Sequence, residues 1–280
     1  MAQVSRRGFL SLGAAALATG CARKVAVRVT PQPALAPPPF KVDLGLQSYS
    51  LRAFKFDDVV AKMQQVGLHF VEFFPAHFPQ NMTREELESR KAKLAAAQIQ
   101  VNAYGVCSFG NNEPATRRMF EFAKKAGFDV FSASPAPDAF DMLDKLVEQY
   151  EVKIAIHNHG PGDKRWGKIA QLLDGTKDHH ANIGVCLDTG HLIRSGEDPI
   201  EAVRKLGPRL LSFHFKDVNA QKHDVVVGTG TTDLVALFTA LKETKFAGPF
   251  SLEYEIQANN PMPGIAQSIK ALREAIARVS

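Results

Sequence analysis

The sequence predicts an α/β protein folded as a single (β/α)₈ barrel behind an N-terminal leader. Three observations carry this reading. Eight short β-like runs alternate with amphipathic helical stretches in one series, and composition does not break after residue 40. The run after the first strand, Gln47-Ser48-Tyr49-Ser50-Leu51-Arg52, lacks the glycine fingerprint of an open, doubly wound nucleotide-binding sheet.

The elements follow in order. The first strand is expected over 43–49, and a helix over 57–65 stops at Gly67. The second strand covers 69–74 and breaks at Pro75, after which Thr83 and Glu86 form a capping box that opens the next helix. A third strand is expected over 99–106. Its helix ends at Gly127, with Lys124 and Lys125 in the last turn, where cations suit the helix dipole. Strands over 128–133, 152–157, 183–188, 210–215 and 249–255 complete the set of eight. Helices over 138–149, 167–173, 200–205, 232–243 and 265–277 fill the gaps.

Residues 1–24 read as an export signal rather than as part of the fold. Ser5-Arg6-Arg7-Gly8-Phe9-Leu10 is a twin-arginine pattern, followed by an apolar run too short to span a bilayer. Leu17-Ala18-Thr19-Gly20-Cys21 has the form of a lipoprotein cleavage box, so a lipidated Cys21 would tether the protein to a membrane. Residues 25–40 form a proline-rich linker, and the barrel occupies 41–280. The expected location is the periplasm or another exported compartment.

Five of the 34 basic residues, and none of the 29 acidic ones, lie before residue 31, which leaves a neutral body. Neutrality gives no support to a nucleic-acid-binding surface. Cys107 and Cys186 have apolar neighbours and are expected as buried free thiols. No haem, flavin or nicotinamide motif is present.

Metal-competent side chains gather at the predicted strand ends, which in a barrel form the active face. Glu72 lies on the second strand. The fifth ends in His157-Asn158-His159, the sixth in Asp188-Thr189-Gly190-His191, the seventh in His214-Phe215-Lys216-Asp217 and the eighth in Glu253-Tyr254-Glu255. Alternation places Ala155, His157 and His159 on one face of their strand, with Ile154 and Ile156 on the other. The same rule pairs Ser212, His214 and Lys216, and likewise Ser251, Glu253 and Glu255. Imidazole and carboxylate together suit one divalent ion, Mn²⁺, Zn²⁺, Co²⁺ or Mg²⁺.

From Gly45 through the final Leu252-Glu253 strand, these motifs in this order resemble the xylose isomerase-like TIM-barrel superfamily, the sugar phosphate isomerases and epimerases. The resemblance implies a metal held by Asp188, His214 and Glu253, with His157 at the fifth-strand position where the ketose 3-epimerases carry a glutamate. It implies an isomerase- or epimerase-like enzyme that abstracts a proton beside a carbonyl through a metal-bound enediolate. Glu253 and Glu72 are the candidate bases and His157 a candidate acid/base partner. His159, His191, Arg194 and Lys216 are candidates for contacting the sugar. Export makes a free or oxidised sugar more plausible than a sugar phosphate.

Three other readings stand beside this one. The same enediolate serves a 3-keto-glycoside lyase or hydratase. A non-catalytic exported sugar-binding lipoprotein would fit the missing fifth-strand glutamate. A trinuclear zinc phosphodiesterase of the endonuclease IV type would draw on His77, His159 and His191. The resemblance is also compatible with an oligomer.

Overall fold

The computed structural model describes residues 40–280, so the expected leader, Cys21 and nearly all of the linker lie outside the described residues. The chain runs β1 (Leu44–Gln47), α1 (Phe56–Gln65), β2 (Phe70–Phe73), α2 (Arg84–Ala96), β3 (Gln100–Phe109), α3 (Glu113–Ala126), β4 (Val130–Pro135) and α4 (Phe140–Tyr150). It continues through β5 (Lys153–His157), α5 (Ile169–Thr176), β6 (Ile183–Asp188), α6 (Thr189–Arg194), α7 (Pro199–Leu206) and β7 (Leu210–Phe215). A small hairpin, β8 (Asp217–Val218) and β9 (Asp224–Val225), precedes α8 (Leu234–Glu243), β10 (Phe250–Leu252) and α9 (Met262–Val279). Strands β1 to β7 and β10 close a barrel in the order β1-β10-β7-β6-β5-β4-β3-β2, parallel at every pairing. No described helix is long and apolar enough to cross a membrane.

Local chemistry sets the element boundaries. Thr83 Oγ1 accepts from the Glu86 amide while Glu86 Oε2 accepts from the Thr83 amide, the reciprocal cap expected for α2. Gly127 ends α3 in the left-handed conformation. Strand β1 is shorter than expected because the Gln47 side chain accepts the Tyr49 amide and turns residues 48–51 into a 3₁₀ helix. Strand β10 ends at Leu252, so Glu253 and Glu255 lie just past the ladder, although the Glu253 amide still donates to Phe215 O at 3.0 Å.

Side chains divide between two apolar clusters as alternation requires. Ile154, Ile156, Val185, Leu187, Phe213 and Phe215 join the main core. Ala103, Val130, Ala155 and Cys186 form a separate small cluster, on the strand face that also carries His157 and Asp188. That face is otherwise polar: Gln47, Glu72, Ser132, Ser212, His214 and Ser251 are all buried. Cys107 and Cys186 are buried free thiols.

One buried carboxylate organises the segment after β9. Asp217 accepts from the amides of Val218 (3.1 Å), Gly228 (3.0 Å), Gly230 (3.0 Å) and Thr232 (3.4 Å). A Cβ on Gly230 would stand 2.2 Å from Asp217 Oδ1, so only glycine permits this approach. Replacing Asp217 by alanine strands several of these donors and is expected to lower unfolding free energy by about 2–4 kcal/mol. Urea unfolding checks this; a loss below about 0.5 kcal/mol would contradict it.

Candidate metal centre

Four strand ends deliver His157, Asp188, His214 and Glu253 to one spot, with a ligand-competent atom of each within 4.8 Å of all the others. Among the described residues this is the only such group of His, Cys, Asp and Glu. Register explains the convergence. His157 pairs with Cys186, Asp188 with His214, and His214 with Ser251, two residues before Glu253.

Several polar atoms of these four residues lack hydrogen-bond partners. His157 Nδ1 and Nε2, Asp188 Oδ2, His214 Nδ1 and Glu253 Oε2 are buried with none. They lie close all the same, His157 Nε2 at 3.4 Å from Asp188 Oδ2 and His214 Nδ1 at 3.1 Å from Glu253 Oε2. Unpartnered lone pairs in a dry site cost free energy unless something binds them. Two imidazoles and two carboxylates in this condition are a fit donor set for a divalent ion.

The charges of the metal-free centre follow from burial and ion pairing. Burial pushes His157 down to about 4, against the opposing pull of Asp188, so its imidazole is neutral near pH 7. Burial would raise Asp188, but the Lys216 ammonium holds its carboxyl well below the usual range. Glu253 is also lowered: the cations Lys216 and His214 outweigh burial. Burial alone would depress His214; its buried anionic neighbours, Glu72 and Glu253 among them, hold it above the ordinary value.

Glu72 stands behind this centre. Its side chain is fully buried, and Oε1 accepts from Gln47 Nε2 at 3.0 Å. Its Oε2 meets His214 Nε2 at 2.7 Å and accepts from Ser251 Oγ at 3.4 Å. A divalent ion that displaced the Nδ1 proton would leave the other proton on Nε2, held by Glu72, the arrangement in which a carboxylate orients a metal-ligating histidine. In this geometry both carboxylate oxygens of Glu72, a candidate base, are engaged by Gln47 and His214.

The remaining expected residues separate into two groups. Lys216 is buried, with Nζ 3.1 Å from Asp188 Oδ2, 3.1 Å from Glu253 Oε2 and 2.5 Å from Glu255 Oε1. The His159 ring lies 4.8 Å from that of His157 and 5.6 Å from that of His191, which gathers three imidazoles at one side. Arg194 is turned elsewhere. Its guanidinium pairs with Asp224 at 2.5 Å and donates to Lys222 O, tying α6 to the β8–β9 hairpin. In this structure the guanidinium of Arg194, a candidate for contacting the sugar, is held by the hairpin. His77 is also outside the centre, held between Ser48 Oγ and Phe54 O.

Sequence reasoning missed three supporting residues. Asn158 accepts the Asp188 amide at 2.7 Å and donates to Asp188 O at 3.0 Å, which fixes that strand end. Asp163 stands 3.5 Å from His159 Nδ1 and is itself held by the amides of Arg165 and Trp166. Gln47 braces Glu72. Asn158 and Gln47 stood inside the quoted motifs, but their partners lie on other strands.

A closed parallel barrel with a His/Asp/His/Glu centre at its strand ends defines the class of protein. Residues 60–275 match the family described as xylose isomerase-like TIM barrel, and the chain belongs to that family. The inosose dehydratase of Bacillus thuringiensis (strain Al Hakam) is 28% identical over 153 residues, covering 48% of this chain and 51% of the relative. The chain thus matches about half the length of such curated relatives. Two solved structures share the fold. The IOLI protein with a bound zinc atom has a TM-score of 0.68 at 18% identity, covering 85% of this chain and 99% of that one. The 3-keto-D-glucoside 4-epimerase YcjR of E. coli has a TM-score of 0.66 at 17% identity, covering 84% and 100%.

Proposed function

We propose that the protein is a divalent-metal-dependent enzyme that removes the proton beside a carbonyl of a sugar, keto-sugar or cyclic keto-polyol. The observation that carries this reading is the buried quartet His157, Asp188, His214 and Glu253, whose ligand-competent atoms lie close together and whose polar atoms include several without hydrogen-bond partners. A divalent ion held by these four would draw electron density from a carbonyl and its neighbouring hydroxyl, which acidifies the carbon-bound proton between them.

The chain's own residues supply the rest. Glu253 is our candidate base: its side chain is 9% exposed, while those of Asp188 and His214 are fully enclosed, so it is the carboxylate turned toward the mouth. Lys216 places positive charge beside it, where an enediolate would form. His159, oriented by Asp163, and the half-buried His191 face the substrate hydroxyls. Glu72 and Asn158 position His214 and Asp188 without touching substrate.

Proton return to carbon gives isomerisation or epimerisation. Departure of the β-oxygen, as water or as the aglycone alcohol, gives an enone. We favour elimination, because a neutral imidazole, His157, stands where a two-base epimerase needs a second carboxylate, and because inosose dehydratases are among the relatives. The twin-arginine pattern supports export, and a lipidated Cys21 would tether the enzyme to a membrane.

The test uses the purified protein loaded with Mn²⁺ in D₂O, with inosose and a 3-keto-glycoside as probes, followed by proton NMR. The expected result is loss of the proton beside the ketone, with enone appearing, and arrest of both by chelator. A metal-loaded protein that exchanges no carbon-bound proton of either probe would overturn the catalytic reading.

A further inference from the structure

Building on that metal reading, we propose that Lys216 is an internal counter-ion that holds the ligand carboxylates in the metal-free protein and competes with the incoming divalent ion for them. Its ammonium lies 3.1 Å from both Asp188 Oδ2 and Glu253 Oε2. These oxygens belong to two residues of the quartet and lack hydrogen-bond partners. The contacts are therefore close but poorly aligned, giving charge neutralisation more than directed bonding.

The physical need is clear. Two carboxylates in a dry site repel strongly, and at this depth solvent screens them little. A cation between them relieves the repulsion before any metal arrives. An ammonium has only donors and no lone pair, so it cannot join a metal's ligand shell, and both cations seek the same oxygens. Exchange is thus an electrostatic competition.

The surrounding structure anchors the stem and gives the head somewhere to go. A Cβ on Gly190 would stand 2.8 Å from Lys216 Cβ, so α6 packs directly on the lysine. Thr189 Oγ1 donates to Lys216 O at 2.6 Å and accepts its amide at 2.9 Å. The head also reaches Glu255 Oε1 at 2.5 Å, on a side chain that is 33% exposed and outside the quartet. Glu255 is the retreat: once Asp188 and Glu253 turn to a metal, the ammonium keeps this partner.

Two variants should move metal affinity in opposite directions, which a purely structural ion pair would not do. Lys216→Met keeps the stem and removes the charge, and should bind Mn²⁺ about tenfold tighter or more, with a lower melting temperature in the metal-free state. Glu255→Gln removes the retreat and should bind Mn²⁺ about threefold to tenfold more weakly. Calorimetric titration of metal-free wild type and both variants, with parallel thermal melts, decides the matter. Equal or weaker binding by a folded Lys216→Met overturns the proposal. If that variant does not fold, equal or tighter binding by Glu255→Gln overturns it. A wild type that binds no divalent ion fells the metal reading as well; a wild type that binds, with variants that match it, fells the counter-ion proposal alone.

Discussion

Asp188→Asn is expected to lose the divalent ion and, with it, turnover. Its Oδ2 lies 3.4 Å from His157 Nε2 and has no hydrogen-bond partner, while Oδ1 accepts the His191 amide at 2.8 Å as the cap of α6. Asparagine keeps an oxygen for the cap and removes the negative charge from the centre. Metal affinity should fall by about two to three orders of magnitude, the share of one charged ligand in a four-ligand site. Proton exchange on a keto-sugar should fall about as far, since nothing else in the centre supplies comparable electrophilic pull. Asp188→Ala should show the same metal loss together with about 0.5–2 kcal/mol of destabilisation from the lost cap. Metal titration and urea unfolding of both variants separate ligation from capping. Retained metal in Asp188→Asn would remove Asp188 from the ligand set.

The second large effect comes from a residue that reaches neither metal nor substrate in this account. Glu72 offers one oxygen to Gln47 and the other to His214 and Ser251. Glutamine has one acceptor oxygen where the carboxylate has two, so Glu72→Gln must lose a bond to His214 or to Gln47. If its amide turns to His214, it donates to Nε2, and the imidazole proton moves to Nδ1, where it covers the lone pair aimed at the centre. Metal affinity should then fall about 10- to 100-fold, as it does when an outer partner of a metal-bound histidine is removed. Nitrogen NMR of His214 should report the tautomer change directly. Glu72→Ala should unfold more easily by about 3 kcal/mol, because it leaves His214 and Gln47 buried without their acceptor. Unchanged affinity and tautomer in Glu72→Gln would return Glu72 to a direct catalytic role.

The barrel and the quartet were legible because both depend on periods that the sequence displays. Strand alternation alone put His157, His214 and Glu253 on inward faces, and the order of the motifs added Asp188. Depth was not legible. Glu72 reads as a strand-end carboxylate like Glu253, but its height in the barrel is set by pairing with Gln47 and by the stagger of the strands. The hairpin contact of Arg194 was hidden for a related reason. Its partner Asp224 lies on the β8–β9 hairpin, and strands of two residues have no period to detect. Helix α6 was hidden because Asp188-Thr189-Gly190-His191 reads as a ligand motif, yet the same aspartate caps the helix with its second oxygen.

The measurement closest to the centre of this account is the metal content of the purified protein by elemental analysis, alongside His157→Ala, Asp188→Asn, His214→Ala and Glu253→Ala. About one Mn, Zn, Co or Mg per chain is expected in the wild type, or on reconstitution, and its loss in each variant. A wild type that takes up no divalent ion after reconstitution would contradict it. The buried quartet would then be a structural ion-pair cluster neutralised by Lys216.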